Sequence, residues 1–128
     1  MSRVTTAYVS GYDRTRVHQS CVMRGEKRTL LANFNGAMPA DSVIASATWR
    51  TNQNNAAILS DGELSANERS TSVQLLAGWG GPAWVKVDAT LDTGEVLTQV
   101  FVIRVQSAPW FTGETNPQQG PTEIVVTA

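Results

Sequence analysis

The chain has 128 residues, enough for one domain with a real core, of which 41% are hydrophobic and 16% charged. The charged share lies below the roughly 25% of ordinary soluble domains, and no apolar run approaches the roughly 20 residues of a membrane-spanning helix. A net charge of −1 gives no global basic field for nucleic acid, and one cysteine and one histidine exclude an internal disulfide and metal sites built from several such ligands.

Residues 1–50 hold seven basic and three acidic groups, and residues 51–128 hold three basic and eight acidic groups. A basic N-terminal segment can touch a polyanion, or it can be a solvated edge strand or a contact with an acidic neighbour. Met1 to Thr6 contains no apolar h-region, so no secretory signal is expected. Strands are plausible at Thr6–Val9 and Val17–Met23, and Cys21 is expected to pack as a small apolar side chain.

From residue 28 onward the dominant signal is period-two alternation, which marks half-buried strands. Leu30, Ala32 and Phe34 share one face; Val43, Ala45, Ala47 and Trp49 share the next, with Trp49 as a core anchor. Asp61-Gly62-Glu63 reads as a turn, and 62–68 as at most one helical turn without an apolar stripe. Val73, Leu75 and Ala77 align, then Val85, Val87, Ala89 and Leu91, then Phe101, Ile103 and Val105. The turn Asp92-Thr93-Gly94-Glu95 between the last two runs predicts a β-hairpin. Strands at this spacing without a helical run predict a small antiparallel sandwich.

Beyond residue 106 the chain reads as a tail: Pro109, Pro117 and Pro121 with Gly113 and Gly120 block regular structure, and the polar run Thr115 to Pro121 behaves as a spacer. It leads to the strand-like run Thr122-Glu123-Ile124-Val125-Val126-Thr127. Ile124, Val125 and Val126 are expected either to add to an open sheet edge, on this domain or a neighbour, or to belong to a disordered terminus. Trp79 in its Gly-rich turn and the adjacent Trp110 and Phe111 read as interface residues or as plugs folded back on the sandwich.

Chemistry finds little purchase. His18 is the one histidine and no Gly-x-Ser-x-Gly surrounds a serine, so nucleophilic catalysis is not expected. The acid pairs Asp61/Glu63 and Asp92/Glu95 fall in turns, where local hydrogen bonding favours acids. Gly78-Trp79-Gly80-Gly81 leads into a strand and has no lysine, unlike a phosphate loop. No catalytic residue, cofactor or metal is expected.

Three stretches carry a family resemblance: Asp41 to Trp49, Ser70 to Gly81, and Val85 to Glu95 together with Phe101 to Val105. Through them residues 29–106 resemble the small Ig-like virion proteins of tailed bacteriophages, the fiber–tail adaptors in particular. Leu76-Ala77-Gly78-Trp79 departs from that pattern by an extra aromatic in the turn, and residues 1–27 and 107–128 are not covered.

The resemblance implies an all-β, Ig-like antiparallel β-sandwich over 28–106, with an N-terminal arm or additional strands over 1–27 and an extended C-terminal tail over 107–128. It further implies a non-enzymatic virion component, made in the host cytoplasm, that links tail fibers to the tail as a homo-oligomeric ring. The partners would be tail tube, adaptor or fiber proteins, with no membrane and no nucleic acid. A capsid decoration protein bound to the major capsid protein is the neighbouring reading. A carbohydrate-binding adhesion module using Trp79, Trp84 and Trp110 as stacking platforms is the reading from another class.

Overall fold

In a computed structural model of the chain, which describes residues 3–9, 17–23, 25–51, 57–77, 81–106 and 123–127, nine strands form two sheets. They are β1 (Arg3–Tyr8), β2 (Val17–Met23), β3 (Lys27–Asn33), β4 (Ile44–Thr51), β5 (Ala57–Leu64), β6 (Ser70–Ala77), β7 (Gly81–Leu91), β8 (Val96–Gln106) and β9 (Glu123–Thr127). One 3-10 turn, Asn35–Ala37, follows β3.

The four-stranded sheet runs β1-β3-β6-β5 and the five-stranded sheet runs β2-β8-β7-β4-β9. Without β1, β2 and β9, the two remaining orders are those of the B-E-D and C-F-G strands of an immunoglobulin sandwich. The fold is therefore the expected Ig-like sandwich. The neighbouring pairs from β3 to β9 are antiparallel, whereas β1 lies parallel to β3 and β2 parallel to β8. The sheets are thus mixed, and the N-terminal segment supplies one edge strand to each. The chain crosses between them at Gly25, whose N–H donates to the Ala77 carbonyl at 2.8 Å.

Alternation sets the core. Leu30, Ala32 and Phe34 face inward, as do Val73, Leu75, Ala77, Val85, Val87, Ala89, Leu91, Phe101, Ile103 and Val105. The β7–β8 hairpin turns at Gly94, whose φ of +92° lies where only glycine sits without strain. Trp49 is fully buried, with its ring centroid 5.8 Å from that of Phe101. Its indole N–H donates to Thr71 Oγ1 at 3.2 Å, and that hydroxyl donates to the Glu63 carbonyl at 2.8 Å. This chain ties β4 to β6 and β5 across the sandwich.

Three local expectations are corrected. Residues 57–64 form a strand, not a turn: β5 passes through Asp61-Gly62 as a bulge, with Ser60 opposite Gln74 and Glu63 opposite Ser72. Asp61 takes a φ of +52° there. On β4 a second bulge lies between Ile44 and Ser46, so Ile44 is buried and Ala45 exposed, which reverses the inward placing of Val43 and Ala45. Cys21 is exposed, because Val22 takes the inward position on β2.

Candidate interaction surface

The outer face of the five-stranded sheet is built by the residues between the core positions. In register across β2, β8 and β7, Val17 lies beside Val100 and Lys86, Gln19 beside Val102 and Trp84, and Cys21 beside Arg104. Residues paired across neighbouring strands point to the same side, so the three valines and the indole share one corner. Trp84 keeps 47% of its surface exposed, and the valines are half-buried. A hollow of about 220 Å³ is lined by Gln19, Ser20, Cys21, Val102 and Arg104, and Val102 is the register partner of Trp84.

A charged band runs beside this corner. Arg50 Nε donates to Glu123 Oε2 at 2.7 Å, and Arg50 Nη1 and Lys86 Nζ lie 3.3 and 3.5 Å from Asp88 Oδ2. The Thr98 hydroxyl donates to Asp88 Oδ1 at 2.6 Å. Two acids and two bases balance, so the band carries no net charge. Past it the face is again partly apolar, with Val125 and Val96 both more than half exposed.

The residues expected at an interface separate. Val126 is buried, Ile124 packs against the core, and Val125 points outward, because β9 pairs with β4 in the register Trp49 to Ile124 and Ala47 to Val126. The C-terminal strand therefore adds to a sheet edge of its own domain. Trp79, Trp110 and Phe111 lie outside the described residues, as does the side chain of His18.

Of the N-terminal basic residues, Arg28 is buried: its Nη1 donates to Ser20 Oγ at 2.9 Å, the Cys21 carbonyl at 3.0 Å and Thr5 Oγ1 at 3.4 Å. It joins β3 to β1 and β2 and is withdrawn from any polyanion surface. Arg14, Arg16 and Arg24 lie outside the described residues. Among those described, no three His, Cys, Asp or Glu residues cluster as a metal would require.

The apolar corner has a sequence signal that alternation alone passes over. Val100-Phe101-Val102-Ile103 is apolar at four consecutive positions, so β8 carries apolar side chains on both faces, as strands covered on both sides do.

No family model and no curated protein matches the chain. Among solved structures, a cysteine protease inhibitor, EhICP2, from Entamoeba histolytica is similar at 13% identity and a TM-score of 0.45, over 80% of this chain and 97% of that one. The PKD domain from KIAA 1837 protein follows at 16% identity and 0.44, over 84% and 91%. Amebosin is similar at 10% identity and 0.42, over 83% and 99%.

Proposed function

We propose that the chain is a non-enzymatic structural component of a tailed-phage virion, an adaptor that joins tail fibers to the tail by protein–protein contacts. The observation that carries the mode of action is the exposed corner of Trp84 with Val17, Val100 and Val102 on the outer sheet face. The resemblance of residues 29–106 to fiber–tail adaptors supports the place in the particle.

Covering about 100 Å² of exposed indole contributes about 2.5 kcal/mol gross at ~25 cal/mol per Å². Association costs offset much of such a gain at one site, and repetition around a ring multiplies what is left. Aromatic anchors with a polar rim are the usual energetic centres of protein interfaces.

The test is complementation of a phage lacking this protein with the Trp84→Ala and Val102→Asp chains. Particles that form tails but lose fibers support the adaptor, and fully infectious particles with a normal fiber complement reject the surface. A second reading, a glycan-binding module, is favoured by the planar Trp84 indole on the same sheet face as Gln19 and Arg104. Binding on a glycan array that Trp84→Ala abolishes would select it.

A further inference from the structure

We infer that β9 is an exchangeable strand: the slot formed by the β4 edge and the Gly62 backbone accepts β9 from a second copy of this chain as readily as its own. The inference concerns how copies join, and it holds whether or not the chain belongs to a virion.

The slot is a built feature. A Cβ at Gly62 would overlap the Val126 Cγ2 methyl and come within 3.0 Å of Ile124 Cγ2. The β5 bulge at Asp61-Gly62 thus presents bare backbone where β9 sets its two inward side chains. The β4 edge supplies the ladder from Ser46 opposite Thr127 to Arg50 opposite Glu123. Arg50 and Glu123 add an ion pair at the entrance. All of these contacts lie between β9 and the body of the domain, so a copy's strand and the chain's own make the same set.

The connection allows it. β8 and β9 stand three strands apart, and the end of β8 lies six residues beyond the row shared by Glu123 and Val100. With ~4.8 Å between strands and ~3.3 Å per residue, the ends to be joined are about 25 Å apart. Sixteen residues separate the two strands, and a chain of that length can span at most roughly 55 Å. That reach exceeds the separation and leaves chain length for donating β9 to the β4 edge of another copy. A linker of this kind sets a millimolar effective concentration for self-docking, so dilute protein keeps its own strand. Copies packed side by side reach comparable local concentrations, and exchange then links them without any new contact.

Disulfide trapping tests this directly. On a Cys21→Ser background, Thr48→Cys and Val125→Cys occupy facing register positions, at a separation a disulfide spans. The two single variants are mixed at millimolar concentration, warmed to allow strand exchange, and oxidised. The expected result is a mixed dimer far above the twofold excess over either homodimer that random pairing of the two thiols gives. The Thr48→Cys/Val125→Cys double variant, oxidised when dilute, closes within one chain. A double variant that closes while the mixture gives no more mixed dimer than that twofold excess overturns the inference, and so does a double variant that fails to close.

Discussion

The backbone of Gly62 lies beneath the Val126 side chain, close enough that a single added methyl would occupy the same space. Gly62 belongs to the four-stranded sheet and Val126 to the five-stranded one, so this contact closes the seam between the sheets where their edge strands β5 and β9 meet. Gly62→Val is expected to destabilise the domain by about 1–3 kcal/mol through overpacking and to expose the C-terminus to carboxypeptidase. Denaturant unfolding and a timed digest followed by mass spectrometry check it. Unchanged stability with an undigested C-terminus would show that the slot tolerates the methyl groups.

Thr71 is the middle member of the hydrogen-bonded chain from Trp49 to the Glu63 carbonyl. Thr71→Val keeps the shape and leaves a buried indole N–H and a carbonyl without that hydroxyl. The expected cost is about 1–3 kcal/mol, measured by chemical denaturation, with a change in tryptophan fluorescence. Stability equal to the parent would mean that the hydroxyl contributes nothing across the sheets.

Arg28 holds β2 to the domain through Ser20 and the Cys21 carbonyl. Arg28→Met keeps the apolar stem and removes the donors. Hydrogen exchange over residues 17–23 is expected to speed up by an order of magnitude or more, since about 1.4 kcal/mol corresponds to a factor of ten, while β7 and β8 remain protected. Equal protection of β2 in both chains would contradict the clamp.

Arg69 gathers the segment after β3. Its guanidinium donates to the carbonyls of Pro39 at 3.0 Å and Ser42 at 2.8 Å and to that of Asn35 at 3.2 Å, and its Nε donates to Asn35 Oδ1. Lysine cannot reproduce this planar fork, so Arg69→Lys is expected to behave like Arg69→Ala, both lowering the melting temperature by several degrees. Full rescue by lysine, read by calorimetry, would reduce the role of Arg69 to charge alone.

Most of the sandwich was legible because regular strands announce their inward face every second residue: Val85 to Leu91 and Phe101 to Val105 lie as alternation places them. Two of the three misreadings sit at bulges, and the third, Cys21, was placed inward on a regular strand whose inward position is Val22. One extra residue shifts the period, so Asp61-Gly62 reads as a turn and Ala45 as buried although Ile44 takes the inward position. Composition does not mark the parallel pairing of β1 and β2, which depends on contacts distant in sequence. At the candidate surface Trp84 was visible as an aromatic, but its neighbours Val17, Val100 and Val102 become a patch only once register lines up three strands. The apolar C-terminal run was legible as a strand, whereas its docking on β4 depends on the Gly62 backbone of the opposite sheet.

Removal of the exposed indole separates surface from core. Trp84→Ala is expected to lower the unfolding free energy by about 1–2 kcal/mol, from the half of the indole already packed on the sheet, short of the roughly 3–5 kcal/mol lost with a fully buried aromatic. A loss of several kcal/mol would assign Trp84 to the core and withdraw it from any interface.

Electron cryo-microscopy of purified tailed-phage particles assembled in the presence of this chain tests the proposed virion role most directly. The expected result is density for the Ig-like sandwich in a closed ring at the junction of tail and fibers, with Trp84 facing a neighbouring subunit. Density on the capsid shell would make it a decoration protein, and complete absence of the chain from purified particles would contradict a virion role altogether.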